Sequence, residues 1–424
     1  MSYTKKEFKN GLRLITSLKK ETKAVTLLVM LKVGSRFEDK DISGISHFIE
    51  HLSFKGTKKR PNTEIISREL DEIGAQFNAF TSKEYTGYYI KTTQQNLPLA
   101  ADMLSDMFFN SKFETKEINK EKGVIIEEMK MYEDEPANNA EELFEIVTLG
   151  NNDLGRRIIG TTKTVTETTR QKIMKYRRDF YLSGNMVVAV AGNFQPKKTE
   201  ELIKKYFIKS SEKRNEPDYK PNKDFQKAPR VLLKNQKTGQ VHLVLGVRSY
   251  GQRDKDKLFT QQVLSVILGG SMSSRLFINV RERQGLCYYI YSNQEAYLDT
   301  GVLGIFAGLN KDRIDFAIKA ILKELRKIKD KPVAVAELKK AKEKLKSKVI
   351  FNLEDSQNIA GWYAKQELLS SENLTPDEYL KKINKVTVKQ VQAMASELFQ
   401  TQRLNLAIIG PFADKTRFEK LLKI

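Results

Sequence analysis

The chain repeats itself, and that repetition limits its possible folds more than any other feature. Asn185-Met186-Val187-Val188-Ala189-Val190-Ala191-Gly192-Asn193-Phe194 reads as a buried strand and a glycine turn that opens an amphipathic helix over 197–207. Leu404-Asn405-Leu406-Ala407-Ile408-Ile409-Gly410-Pro411-Phe412 does the same before a helix over 415–422, and Gly192 and Gly410 stand 218 positions apart. Nearly the same offset relates the front of each half: a strand over 25–33, a polar loop and a helix near 41–54 in the first, a strand over 241–248, a polar loop and a helix near 254–268 in the second. Between the halves, 209–224 carries two prolines, many charges and almost no apolar residue, the composition of a linker. The expectation is an α+β protein of two similar domains, 1–208 and 225–424, each a sheet faced by helices.

Within the first copy, period-two apolar spacing predicts strands over 11–18, 24–33 and 84–92, and period-3.6 spacing predicts helices over 43–54, 62–73, 97–109, 115–132 and 137–148. With 424 residues, 40 % apolar and 30 % charged, there is enough chain to bury a core in each copy. One cysteine excludes an internal disulfide, the first ten residues lack the apolar stretch of a signal peptide, and no run of about 18 apolar residues follows. A cytoplasmic protein with no membrane span is expected. The 74 basic and 53 acidic residues give a net charge of +21, a value that suits nucleic acid or an anionic surface. The lysines are spread along the whole chain, however. Their densest run, 339–348, reads as the solvated face of a helix begun by Pro332, with Val335, Leu338, Leu345 and Val349 on its buried side, so no nucleic-acid partner is expected.

Two of the three histidines occur in His47-Phe48-Ile49-Glu50-His51, where Ile45, Phe48, Ile49 and Leu52 recur at helical spacing. At about 100° per residue, His47 and His51 lie roughly 40° apart and Glu50 about 60° to the other side of His47, so the three leave one face. Two imidazoles make good zinc ligands, a third donor would leave one position open to water, and a neighbouring carboxylate can take that water's proton. With so few histidines, composition alone yields this pattern on the order of once in a thousand chains. For the third ligand, the segment after 117 has Glu121, Val124, Ile125 and Glu128 on one face, seven residues falling about 20° short of two turns. Acids on an apolar stripe are costly to bury unless they meet a cation, which points to Glu128 as ligand and Glu121 as a supporting carboxylate. Periodicity alone divides evenly between that reading and a surface helix rich in Glu and Lys.

His47-x-x-Glu50-His51 followed by Glu128 resembles the inverted zinc-binding motif of the pitrilysin, insulin-degrading enzyme and mitochondrial processing peptidase family. Asn10-Gly11-Leu12-Arg13, Gly34-Ser35-Arg36 and His51-Leu52-Ser53-Phe54-Lys55-Gly56-Thr57 extend the likeness around the motif, and it runs through the second half as well. The resemblance implies mostly antiparallel sheets in both domains. It implies one zinc per chain on His47, His51 and Glu128, with Glu50 as general base and Glu121 also functional. The function implied is that of a zinc-dependent endopeptidase.

Two further stretches gain a role from the resemblance. Residues 74–86 are similar to the family's substrate edge strand, on which an extended peptide adds to the sheet, with Asn78 meeting the peptide backbone and Ala79 offering backbone groups. From the residues alone the same stretch reads equally as a turn leading into a strand, with Asn78 in a turn or left-handed conformation. Residues 269–288 hold a glycine-rich loop, then Arg281 and Tyr288, which in the family hold substrate and stabilise the oxyanion; a cation and a phenol suit charge that develops on a carbonyl oxygen. Cys287 reads as a packing residue that could make the enzyme thiol-sensitive. In half-length members the Arg/Tyr pair belongs to another subunit, and this chain carries both sets, which implies a homodimer with Arg281 and Tyr288 acting in trans around an unfolded peptide. The rival reading is a catalytically silent, chaperone-like peptide-binding subunit.

Overall fold

The structure, a computed structural model, describes residues 2–150, 152–208, 217–222, 225–370 and 372–424. In chain order the first half contains β1 (Thr4–Glu7), β2 (Arg13–Leu18), β3 (Ala24–Leu31), α1 (Ile45–Leu52), α2 (Thr63–Glu72), β4 (Gln76–Thr81), β5 (Thr86–Thr93), α3 (Leu97–Asn110), α4 (Thr115–Asp134), α5 (Pro136–Leu149), α6 (Thr162–Thr166), α7 (Arg170–Phe180), β6 (Met186–Gly192) and α8 (Pro196–Phe207). The second contains β7 (Arg230–Asn235), β8 (Val241–Ser249), α9 (Lys255–Gly269), β9 (Cys287–Ala296), β10 (Gly301–Leu309), α10 (Ile314–Asp330), α11 (Val335–Asn352), α12 (Ser356–Leu369), α13 (Pro376–Lys385), α14 (Val388–Leu398), β11 (Leu404–Gly410) and α15 (Lys415–Leu421).

The duplication is visible in the sheet topologies. The first sheet has the order β1-β2-β6-β3-β5-β4 and the second β7-β11-β8-β10-β9. Apart from the extra edge strand β1, the second order is the first with each strand replaced by its counterpart. In both, one neighbouring pair is parallel (β2 with β6, β7 with β11) and the others are antiparallel. β3, β6 and β11 read as nearly unbroken apolar runs because helices cover both of their faces, and their residues are almost all buried.

Two compact units form from interleaved segments. The first comprises 1–129, 156–220 and 350–377; the second comprises 130–155, 221–349 and 378–424. In the first unit α12 packs on β6, β3 and β2, with the Thr26 hydroxyl 2.8 Å from that of Ser356. In the second unit α5 packs on β7, β8, β10 and β11, where Phe144 meets Val244, Phe306 and Ile409 in one buried cluster. α5 and α12 occupy corresponding positions in the two repeats, so each sheet is covered by the helix encoded in the other half of the sequence.

Several expectations change. The helix carrying the lysine run begins at Val335 rather than Pro332; Leu338, Leu345 and Val349 are buried as expected, but Val335 is 76 % exposed. Asn78 lies in strand β4 rather than in a turn, and among the described residues the one non-glycine with positive φ is Phe113. Of the 209–224 stretch, 209–216 and 223–224 fall outside the described residues. Residues 217–222 have no regular secondary structure.

What matters for function is how α1 is fixed against β4. The connection from β3 to α1 runs beside the β4–β5 turn, Arg36 N donating to Lys83 O at 2.8 Å, and a Cβ on Gly34 would come within 2.2 Å of Ser82 O. Arg36 and Glu84, both buried, pair at 2.6 Å, and the guanidinium lies 4.1 Å from the centre of the Tyr219 ring. At the start of α1, buried Glu38 accepts from Gly44 N at 2.7 Å and Ser46 N at 2.8 Å, satisfying helix N–H groups that would otherwise be unpaired. Burial raises the Glu38 carboxyl to about 7 against the pull of those donors and of Arg156. Gly44 itself sits at φ +95°, with Ile159 O 2.6 Å from where a Cβ would be, so no other residue fits there without strain.

Glu84→Ala leaves the Arg36 charge buried beside a vacated carboxylate position. The expected loss of folding stability is about 3–5 kcal/mol, read from urea denaturation; a loss below about 1 kcal/mol would show that this pair does not fasten the loop.

Candidate metal centre

On α1, Ile45, Phe48, Ile49 and Leu52 are buried, at most 1 % exposed, and this anchors the helix so that His47, Glu50 and His51 leave its other face together. α4 buries Ile118, Glu121, Ile125 and Met129. Val124, expected on the same stripe, is 46 % exposed, because the buried stripe follows the i, i+3/i+4 row through 118, 121, 125 and 129 and leaves 124 at its margin. Glu121 is almost wholly buried and Glu128 is partly so.

The two helices bring the ligand set together. His47 Nε2 is 3.7 Å and His51 Nε2 3.4 Å from Glu128 Oε2, and the imidazole centroids are 4.5 Å apart. His47, His51 and Glu128 are the residues whose donor atoms cluster closely enough to hold a metal ion among the described residues. Zinc bonds of 2.0–2.2 Å in a tetrahedron put ligand atoms about 3.3–3.5 Å from one another, close to the separations seen. His51 Nδ1 lies 2.9 Å from Glu121 Oε1; a carboxylate only accepts, so Nδ1 keeps its proton and Nε2, beside Glu128, is the atom that can ligate a metal once its own proton is lost. Lys55 Nζ, one turn further along the chain, pairs with Glu121 Oε2 at 2.8 Å. His47 Nδ1 is buried with no hydrogen-bond partner among the described residues.

The electrostatics separate the two rings. Burial, reinforced by the neighbouring His51, pushes His47 down to about 4. Burial also lowers His51, but Glu121, which accepts from it, and Glu128 outweigh that and hold it up at about 9. Glu121 is raised by burial and pulled back further by His51 and Lys55, ending below its ordinary value. Glu50 ends above the usual carboxylate range because burial outweighs the Thr81 hydroxyl, which donates to Oε2 at 2.6 Å.

Asn78 and Ala79 lie on β4, the last strand of its sheet, so its outer side is open to a further strand. Asn78 is exposed and its Oδ1 accepts from Ala79 N at 2.9 Å; Ala79 pairs across the ladder with Tyr88. Ala79 and Thr81 point to the same face, and through Thr81 the strand touches Glu50. Arg281 and Tyr288 belong to the second unit. The Arg281 guanidinium covers the Phe277 ring at 4.6 Å. The β9–β10 register shifts between Cys287 and Tyr289, leaving Tyr288 as an unpaired bulge residue that is 74 % exposed. Cys287 is buried and burial raises its thiol to about 11, so it does not behave as a reactive thiol at neutral pH. Two site residues escaped the sequence reading. Thr81 stands two residues after Ala79 on the same strand face, so periodicity carried a signal for it, whereas Lys55 lies in the turn beyond the end of α1, where helical spacing carries none.

A fold of two like sheet-and-helix units, with an inverted His-x-x-Glu-His helix and a distal glutamate at metal-binding separation, defines a zinc-metallopeptidase architecture. The chain belongs to peptidase family M16, the insulinase family. The model of that family matches residues 13–162, which hold His47, Glu50, His51 and Glu128, and the model described as the family's inactive domain matches 167–345. The chain is 36 % identical to the uncharacterised zinc protease YmxG of Bacillus subtilis over 95 % of its own length and 97 % of that protein. It is 34 % identical to an uncharacterised zinc protease of Streptomyces coelicolor, SCO5738, covering 96 % and 89 % of the two chains. A crystal structure of a protease from Helicobacter pylori superposes with a TM-score of 0.89 at 26 % identity, over 97 % of this chain and 100 % of that one.

The charge distribution predicts how zinc binding varies with pH. Above about 4 His47 is already neutral, whereas below about 9 the proton on His51 competes with the metal. The logarithm of the apparent affinity should rise by about one unit per pH unit between pH 5 and 8, with about one proton released per zinc. Calorimetry in buffers of different ionisation enthalpy reads that proton; no release at pH 7 would contradict the assignment.

Proposed function

We propose that the protein is a zinc-dependent endopeptidase that cleaves unfolded peptides or extended segments, with one zinc held per chain by His47, His51 and Glu128. The observation that carries this reading is the convergence of both Nε2 atoms on Glu128 Oε2, with Glu50 on the same face of the same helix. Zinc, when bound, supplies Lewis-acid polarisation of the scissile carbonyl and brings the pKa of water toward about 7. Glu50 takes the proton from the attacking water and delivers it to the leaving amine, its raised pKa suiting both transfers and the Thr81 hydroxyl holding its orientation. Glu121 fixes the tautomer and direction of His51.

The peptide extends along the free edge of β4, Asn78 and Ala79 meeting its backbone. Arg281 and Tyr288 hold substrate and stabilise the charge that develops on the carbonyl oxygen, a role that suits an exposed phenol on a bulge. In this reading the 1–208 part carries the zinc site and the 225–424 part supplies the Arg/Tyr pair. The working form is a cytoplasmic homodimer that encloses the peptide, each Arg/Tyr pair completing the zinc site of the other subunit. Consistent with this, no helix among the described residues is long and apolar enough to cross a membrane.

Glu50→Gln is expected to retain zinc and lose at least about 10³-fold in kcat on a quenched peptide library, since the substituted amide binds substrate but moves no proton. Retained turnover would reject Glu50 as the base, and hydrolysis absent from the unsubstituted, zinc-loaded protein would favour a silent peptide-binding subunit. Mixing Glu50→Gln with Arg281→Ala subunits should restore one working site per dimer; a mixture no more active than its components would reject action in trans.

A further inference from the structure

Two arginines of the first unit are buried, and both are met by acids. Arg36 pairs with Glu84, and Arg60 lies within 2.7–3.3 Å of Glu69, Asp102 and Asp106. Arg177, on α7, is largely enclosed and yet forms no ion pair with a carboxylate among the described residues. One guanidinium nitrogen donates to Phe108 O, and the group lies 4.7 Å from the ring centre of Phe113 and 5.6 Å from that of Tyr181. A guanidinium keeps its charge in any protein setting and carries five N–H donors, so this arrangement leaves a partly buried positive charge without a carboxylate counter-charge among the described residues. Such a charge is costly to bury.

Arg177 lines a cavity of about 10 Å³ with Val29, Ser53, Tyr88, Leu104, Met107, Phe108 and Tyr181, room for one small occupant. The polar groups on its wall form a chain of hydroxyls: Ser53 Oγ lies 3.4 Å from the Tyr88 hydroxyl, which lies 3.3 Å from that of Tyr181. Both tyrosines are pushed up by burial, Tyr88 to about 12, so they remain protonated and able to donate. Separations of 3.3–3.4 Å are loose for hydroxyl pairs, which leaves these protons available to a better acceptor. No carboxylate lines the cavity. The wall therefore offers one cation and the two tyrosine hydroxyls as donors to a guest, the Ser53 proton being held by Ile49 O, and otherwise only apolar surface.

We propose that this cavity is a binding site for one small monovalent anion of the halide class, held by the Arg177 guanidinium and the hydroxyls of Tyr88 and Tyr181. The anion neutralises Arg177 and ties α7 to β5 and to the end of α1, where Ser53 follows the last helical residue and its hydroxyl donates to Ile49 O at 2.8 Å. Water is the competing occupant; it satisfies hydrogen bonds but leaves the charge uncompensated. Occupancy by an anion makes the stability of the unit that carries the zinc ligands depend on which anion is present, in addition to ionic strength.

Crystals soaked in sodium bromide read the site directly. The expected result is an anomalous bromine peak in the cavity within hydrogen-bond distance of Arg177; cavity density with no anomalous signal means water and overturns the proposal. In solution, exchanging sodium gluconate for sodium bromide at constant ionic strength should raise Tm by about 2–4 °C for tenfold excess over the dissociation constant. That anion-specific rise should vanish in Arg177→Met and shrink in Tyr88→Phe, which keeps the ring and removes one hydroxyl. An equal response to both salts, or a bromide-specific rise that persists in Tyr88→Phe and Arg177→Met alike, overturns the proposal. If Arg177→Met does not fold, the bromide peak and the Tyr88→Phe response decide.

Discussion

A carboxylate on an apolar helix stripe costs several kcal/mol to bury unless a cation meets it, and the arrangement of the zinc-ligand side chains follows from meeting that cost. Glu121 is 2 % exposed on α4, between Ile118 and Ile125. What compensates it is the His51 Nδ1 proton of α1 on one oxygen and, on the other, the ammonium of Lys55 in the turn after α1. Glu128, two turns further along, then faces both imidazoles from the opposite side. The same contacts that make burial of Glu121 tolerable turn His51 Nε2 toward the position a metal would take. The side-chain contacts between α1 and α4 that pair Glu121 also gather the proposed zinc ligands.

The surrounding fold keeps those contacts in register. Glu38 satisfies the first N–H groups of α1, and Arg36 with Glu84 locks the approach to α1 against the β4–β5 turn. β4 thereby runs past Glu50 with its outer edge open, and the contact from Thr81 to Glu50 records the closeness of strand and helix. The proposed general base, the proposed metal ligands and the strand proposed to receive a peptide are held by two short connections rather than by long-range docking.

Much of this was legible in the sequence because it depends on local periods. The apolar row 45, 48, 49, 52 predicted both α1 and the face from which His47, Glu50 and His51 project, and the seven-residue spacing of Glu121 and Glu128 predicted their common face. The strand–glycine–helix signature repeated at 192 and 410 predicted two units of one topology, which the matching sheet orders bear out. Less legible were features decided by tertiary contact. β4 alternates only over Gln76-Phe77-Asn78-Ala79 before Phe80 and Thr81 break the period, too short a run to mark a strand apart from its ladder with β5. No helix or strand was assigned between 148 and 185, where α6 and α7 start at threonine caps, Thr161 and Thr169. The interleaving of α5 and α12 was invisible, because an amphipathic helix shows that it has a buried face and not which sheet will cover it.

Binding of one zinc ion by two imidazoles and one carboxylate is read by X-ray absorption at the zinc edge on the metal-loaded protein. The expected spectrum shows about one zinc per chain with a first shell of nitrogen and oxygen at about 2.0–2.2 Å, the multiple-scattering signature of two imidazoles, and loss of that signature in a His47→Ala, His51→Ala protein. A shell containing sulfur, fewer than two imidazoles, or the same spectrum from the double variant would contradict it.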